Sequence, residues 1–107
     1  EIWLYLCILG RMNIEDASSK LAELGHVTRL GIYRTLVKAG RAGLPVAGIQ
    51  VKLNVPNSTL SHHISRLVRV GLIKQVREGR VLRCYAQYDS LNNLLKFLAE
   101  ECCSEDD

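Results

Sequence analysis

The chain has 107 residues, of which 48% are hydrophobic and 23% are charged, and its formal net charge is +3. This length suits a single domain with a modest core. No apolar run approaches the ~20 residues that a membrane span needs, so the sequence predicts one globular domain without a membrane partner.

The positive charge is concentrated in the middle of the chain. Between His26 and Ala86 there are eleven Lys or Arg residues and a single acid, Glu78, whereas the flanks hold three basic residues and ten acids. Such segregation is typical of a protein that contacts nucleic acid. The alternative is a solvated basic surface without a partner, which would normally carry more acids.

Apolar spacing and capping residues predict four helices in the first seventy residues. They span residues 13–24, 26–38, 45–53 and 57–70. Asn13 is the predicted cap of the first helix and Gly25 its end, and the narrow apolar seam of this helix suits a helix–helix contact. Asn57 or Ser58 is the predicted cap of the fourth helix, which Gly71 ends.

After Gly71 the sequence pattern changes from helical to β. Residues 72–77 and 81–86 are two β-prone runs separated by Glu78-Gly79-Arg80, which is a hairpin signal. Asp89 is predicted to cap a last helix with a leucine stripe over residues 91–98. Four helices, a hairpin and a closing helix predict a mainly α fold with a small β-hairpin, a winged helix-turn-helix.

The predicted domain spans residues 12–103 and is followed by an acidic tail, residues 104–107. Residues 1–11 are apolar but lack the basic lead-in and cleavage site of a signal peptide. Either they precede a true start at Met12, or they form a hydrophobic arm that packs on a partner chain. Without a secretory signal, a cytoplasmic location and reduced cysteines are expected.

The fourth predicted helix has an apolar stripe and an opposite face without acids. The stripe is formed by Leu60, Ile64, Leu67 and Val68, and the opposite face by Ser58, His62, Ser65, Arg66 and Arg69. An exposed helix face normally mixes both charge signs, so this face suits a polyanion. In a helix-turn-helix such a helix lies in the major groove, with its N-terminal residues at the base edges. The predicted DNA contacts are Gln50, Ser58, Thr59, Ser61, His62, His63, Arg66, Arg77 and Arg80.

Other roles for these residues remain open. One alternative is that His62 and His63 are ordinary polar residues on the surface. A shared metal ion is disfavoured, because neighbouring helical residues point about 100° apart. Arg83 is either part of the DNA-binding hairpin or a structural salt-bridge residue. An enzyme is not expected, because the sequence has no carboxylate pair, nucleophile–base set or phosphate-binding loop.

Three strings of residues resemble the ArsR/SmtB family of metal-responsive winged-helix repressors. They are Leu24-Gly-His-Val-Thr-Arg29-Leu-Gly-Ile, Ser58-Thr-Leu-Ser-His-His-Ile, and Gly71-Leu-Ile followed by Arg77-Glu-Gly-Arg80. The resemblance implies a homodimeric repressor of double-stranded operator DNA, released by a metal or metalloid inducer. It also implies a dimer interface built from the first and last helices.

The resemblance extends to the paired cysteines that end the last helix in an arsenite-responsive subgroup. Cys102 and Cys103 occupy that place, and As(III) or Sb(III) is the implied inducer, with no resident cofactor required. The third thiolate that this soft metalloid prefers is expected from Cys84, from Cys7 of a partner chain, or from a small external thiol. The alternatives are a thiol-redox regulator, a regulator without an inducer, and a winged helix that binds a protein.

Overall fold

The computed structural model describes residues 12–106, so the apolar segment of residues 1–11 lies outside the described residues. Within this range there are five α-helices and a three-stranded sheet. In chain order the elements are α1 (Ile14–Leu24), α2 (Val27–Ala39), β1 (Leu44–Pro45), α3 (Val46–Leu53), α4 (Asn57–Arg69), β2 (Ile73–Glu78), β3 (Val81–Ala86) and α5 (Tyr88–Ala99). This order confirms the predicted winged helix-turn-helix. No described helix is long and apolar enough to span a membrane.

The helix starts agree with the sequence in one case and differ in two. Asn13 caps α1 as predicted, because its side-chain oxygen accepts a hydrogen bond from the Asp16 amide at 2.8 Å. The predicted caps of α4 are wrong: Pro56 is the N-cap, and no side chain caps the helix. Gln87, not Asp89, is the N-cap of α5, so Asp89 lies in the first turn, where the helix dipole favours an acid.

The sheet is antiparallel with the strand order β1-β3-β2. The pairing of Glu78 with Val81 closes the hairpin over two residues, and Gly79 adopts the positive φ of 65° that such a tight turn favours. The pairing of β1 with β3 was not predicted. Two residues are too few to show the period-two pattern of a strand, yet they join the base of the wing to the start of α3.

One hydrophobic core lies between the helices and the sheet. It is formed by Ile32, Tyr33, Leu36, Ile49, Leu60, Ile64, Leu67, Leu72, Ile73, Cys84 and Ala86. Three residues of the predicted α4 stripe are in this core, whereas Val68 stays 37% exposed. Burying three residues of one stripe fixes the rotation of α4 about its axis, and with it the direction of its polar face.

The two terminal helices leave apolar side chains uncovered in the single chain. Ile14 on α1 is 68% exposed, and Leu95 and Leu98 on α5 are each 55% exposed. The start of α5 is fastened to α2, because the Tyr88 hydroxyl donates a hydrogen bond to the Val37 carbonyl at 3.2 Å.

The last helix ends earlier than the sequence suggested. The helix α5 stops at Ala99, and Glu101 and Cys103 both have a φ of 61°, which no α-helix allows. The expectation that Cys102 and Cys103 end the last helix is therefore wrong. The cysteine pair lies in the turns that follow the helix.

Candidate nucleic-acid interface

The N-terminal half of α4 presents a row of exposed polar side chains. Ser58, Thr59, Ser61 and His62 are all exposed, and each offers hydroxyl or ring N–H donors and acceptors suited to base edges or phosphates. No side chain caps the first turn of this helix. The first N–H groups of a helix have no intrahelical acceptor, so in α4 they have neither an intrahelical nor a side-chain cap acceptor.

A cleft of about 450 Å³ separates this row from the wing. Its lining joins residues from α3, α4 and the hairpin, and the polar members are Gln50, Asn57, Ser61, Gln75, Arg77 and Arg80. Four of the predicted DNA contacts are thus brought to the same cleft by three different elements. Donors and cations dominate this polar lining, and none of the residues that line the cleft is an acid.

The arginines of the wing divide into two kinds. Arg83 forms an ion pair with Glu78 at 3.0 Å and also donates to the Ala42 carbonyl at 3.2 Å. The structural interpretation of Arg83 is therefore the one that the geometry supports. Arg77 and Arg80 are exposed and form no ion pair with any residue in 12–106, so their full positive charge faces solvent.

The structure places His63 and Arg66 differently from the other predicted contacts. His63 is only 8% exposed, and its Nδ1 accepts a hydrogen bond from Nη1 of Arg29 at 3.1 Å. Arg66 forms a two-pronged ion pair with Glu23, with Nε–Oε1 at 2.8 Å and Nη2–Oε2 at 3.3 Å. Neither side chain belongs to the open row, because Arg66 is turned toward Glu23 at the end of α1 and His63 toward Arg29 in the first turn of α2.

This packing changes the proton affinities of two groups. The hydrogen bond from Arg66 holds the pKa of the Glu23 carboxyl below its ordinary value, against the opposing effect of partial burial. Burial lowers the pKa of His63, and the nearby His26 and Arg29 lower it further. Both shifts favour an ionised Glu23 beside a neutral His63.

Sequence reasoning missed Glu23 and Arg29 as partners of the recognition helix. Glu23 lies 43 residues before Arg66, on a helix assigned to dimerisation, and local spacing carries no signal for such a contact. An acid at the end of one helix and an arginine six residues later are too common to predict a buried cluster.

The cysteines occupy two separate environments. Cys84 is fully buried in the core, where burial raises the pKa of its thiol. Cys102 and Cys103 are exposed, with their Sγ atoms 3.4 Å apart. Among residues 12–106 no three His, Cys, Asp or Glu side chains gather to hold a metal ion. Cys84 therefore does not join the pair, and Cys7 lies outside the described residues.

The α3–α4 pair, the donor-rich cleft and the arginine-bearing hairpin together define a DNA-binding module of the winged helix-turn-helix class. Residues 24–76 match the family described as Helix-turn-helix domain. The chain is 30% identical over 86 residues to the uncharacterized HTH-type transcriptional regulator MJ1325 of Methanocaldococcus jannaschii, covering 80% of this chain and 94% of that one.

Solved structures show the same architecture. An ArsR-like transcriptional regulator from Rhodococcus sp. RHA1 superposes with a TM-score of 0.74 at 27% identity, covering 86% of this chain and 84% of that chain. The homodimeric winged helix-turn-helix domain of Mb0332 from Mycobacterium bovis superposes with a TM-score of 0.65 at 21% identity, covering 86% and 85%. The chain belongs to the HTH-type transcriptional regulators, and its winged-helix fold is similar to that of the ArsR-like regulator from Rhodococcus. These proteins are DNA-binding regulators and not enzymes, as the sequence predicted.

Proposed function

We propose that the protein is a homodimeric repressor that binds double-stranded operator DNA through α4 and the wing. The observation that carries this proposal is the cleft between α4 and the hairpin, where Ser61, Arg77 and Arg80 face a common space and the arginines are unpaired within the described residues. The row of exposed side chains on α4 would read base edges in the major groove. Arg77 and Arg80 would bind the neighbouring sugar-phosphate backbone.

The exposed apolar residues of the terminal helices support a dimer. Ile14, Leu95 and Leu98 are more than half exposed in the single chain, and a second copy would cover them. An interface of this kind is self-complementary in a two-fold dimer, so it would place two copies of α4 on one duplex.

The test is duplex binding measured over a range of salt concentrations. Replacing Arg77 or Arg80 by Ala should weaken binding and reduce the salt slope by about one unit each, because each arginine would neutralise a phosphate. Lys96→Ala on α5 is the matched control and should leave the slope unchanged. Equal slopes for all four proteins would count against the interface.

The inducer proposed is trivalent arsenic or antimony, captured by Cys102 and Cys103. The short distance between their Sγ atoms, 3.4 Å, suits two bonds to one soft metalloid. The third thiolate would come from Cys7 or from a small external thiol, because Cys84 is enclosed in the core. The pKa of Cys103 is raised by its hydrogen bonds to Cys102 and Asp106, and both metalloid binding and thiol oxidation require loss of that proton, because the thiolate is the metal ligand and the nucleophile.

Arsenite titration followed by thiolate absorbance tests the inducer separately from the DNA contact. Wild-type protein should gain an arsenic–thiolate band and lose operator affinity, whereas Cys102→Ser should do neither. Cys84→Ser is the control and should respond like wild type. Release of DNA by arsenite from Cys102→Ser would remove the cysteine pair from the proposal.

A further inference from the structure

Four ionisable side chains from three helices meet behind the recognition helix. Glu23 comes from the last turn of α1, Arg29 from the first turn of α2, His63 from the middle of α4 and Arg66 from its last turn. Arg29 and His63 are 7% and 8% exposed, and the Glu23 side chain is 15% exposed. We call these four residues the α1–α4 cluster.

Glu23 is the hub of this cluster. Its two carboxylate oxygens receive Nε and Nη2 of Arg66, which is the paired geometry that makes an arginine–carboxylate contact both strong and directional. Its Oε1 lies 3.3 Å from Nε of Arg29, and its backbone carbonyl accepts from that same Nε at 2.7 Å. One residue thus orients two guanidinium groups.

Arg29, which Glu23 orients, in turn contacts His63 on the recognition helix. A guanidinium has no acceptor, so in the Arg29–His63 contact the Nδ1 of His63 must accept and its proton must reside on Nε2. The ionisable groups around His63 are Glu23, His26, Arg29, His62 and Arg66. Three hydrogen bonds therefore tie α4 to α1 and α2 at two positions one turn apart.

We propose that Glu23 is a positioning residue for DNA recognition: it fixes α4 through Arg66 and through Arg29 and His63. In this assignment Arg66 serves Glu23 and does not bind phosphate. The inference rests on the proposed operator binding, because the positioned element is the α4 row that reads the groove. The contact between Glu23 and Arg66 also links α4 directly to α1, one of the helices proposed for dimerisation.

The sign of one mutational effect separates this role from a simple charge effect. A carboxylate close to a polyanion repels it, so removing an unneeded acid beside α4 would strengthen duplex binding. Removing a positioning acid would weaken it, because α4 would lose its fixed register against the groove. Glu23→Gln keeps the size of the side chain and removes its charge. The direction in which duplex affinity changes therefore decides between a positioning role and a simple charge effect.

The experiment measures duplex affinity against salt for wild type, Glu23→Gln, Arg66→Gln and the double variant, each at a temperature where circular dichroism shows it folded. Glu15→Gln, an exposed acid on the same helix, is the matched control. We expect a loss of about five- to tenfold for each single variant, at the lower end of the usual coupling between two sites. The salt slope should stay unchanged, and the double variant should be no weaker than the singles.

Three results would overturn the positioning role. Glu23→Gln could bind as tightly as wild type or tighter, Arg66→Gln could lower the salt slope by about one unit, or the losses could add in the double variant. Amide hydrogen exchange without DNA supplies an independent reading. Glu23→Gln should speed exchange in α4 and not in β2 and β3, and unchanged exchange in α4 contradicts the proposal even if the wild type proves not to bind duplex DNA.

Discussion

The recognition helix and the wing carry similar basic residues but use them in opposite ways. Behind α4, Arg29 and Arg66 are engaged by Glu23 and His63; Arg29 is buried, and the partly exposed Arg66 is neutralised by an ion pair with Glu23. On the hairpin, Arg77 and Arg80 are exposed and unpaired within the described residues. Position relative to the core, more than residue type, decides which cation can meet a phosphate.

The difference also concerns how each region is held. The α4 helix buries Leu60, Ile64 and Leu67 almost completely, whereas in β2 only Ile73 is buried. The helix is therefore fixed by packing and by a polar cluster. The wing is held by its strand ladder and by the contact of Arg83 with Glu78 and the Ala42 carbonyl.

The largest contrast is expected from removing apolar volume in the two regions. Leu60→Ala should lower the free energy of unfolding by about 2–5 kcal/mol, since Leu60 is fully buried. Val76→Ala on the wing, where the side chain is 40% exposed, should cost only about 0.5 kcal/mol. Guanidinium unfolding at one protein concentration measures both, and similar losses would mean that the wing is as tightly packed as the helix.

Two glycines of the sheet region give a finer test of packing. Gly43 and Gly79 have φ values of 63° and 65°, so alanine at either should cost about 1–2 kcal/mol of backbone strain. A Cβ on Gly43 would also clash with the Cys84 carbonyl and the Tyr85 ring, whereas at Gly79 it meets open space. We expect Gly43→Ala to be about 1–3 kcal/mol worse than Gly79→Ala in thermal or denaturant unfolding. Equal costs would show that the β1–β3 contact yields easily.

The α1–α4 cluster should make stability depend on pH. Because the pKa of folded His63 lies below its ordinary value of 6.5, the stabilisation is complete above that pH and is lost as pH falls from there toward the folded pKa. Glu23 adds a second loss below its ordinary value of 4.5, because its folded pKa is also lowered. Both terms therefore destabilise the fold on acidification.

His63→Asn isolates the histidine part of this effect. Asparagine keeps an acceptor for Arg29 but does not titrate, so the variant should show a flatter dependence of unfolding free energy as the pH falls below 6.5. His62→Asn removes one of the charges that lower the pKa of His63 and leaves His63 in place, so it should flatten the dependence less than His63→Asn does. If His63→Asn leaves the pH dependence of the unfolding free energy unchanged, other residues cause that dependence.

The smallest effect on stability is expected on the wing surface. Arg80→Ala should change the unfolding free energy by less than about 0.5 kcal/mol, because Arg80 is exposed and unpaired within the described range. Its effect should appear only in DNA affinity and salt slope. A clear loss of stability would indicate a structural contact for this arginine.

The regular parts of the fold were predictable because their signals are local. Helical spacing and the Asn13 cap located α1, and the turn at Gly79 located the hairpin. The two-residue strand β1 was not predictable, because a strand that short has no pattern of its own. The early end of α5 was missed because Glu, Cys and Ser residues do not force a helix to stop.

The candidate interface was predictable in part, for a related reason. Spacing along one helix correctly separated Ser58 and His62 from Leu60 and Ile64, because that periodicity belongs to the helix itself. His63 was predicted as a DNA contact from its place near the start of the recognition helix, but it is buried against Arg29 and His26 at the start of α2. Contacts between residues distant in sequence carry no periodic signal, and these contacts decide which polar residues face inward.

The hydrogen bond from Tyr88 to the Val37 carbonyl bears on the geometry of the operator. It fastens the start of the closing helix to α2. If two copies pair through their terminal helices, the distance between their reading helices is therefore set by side chains far from any base. Successive major grooves on one face of B-DNA are about 34 Å apart, so phasing to the duplex would be determined at the leucines of α5.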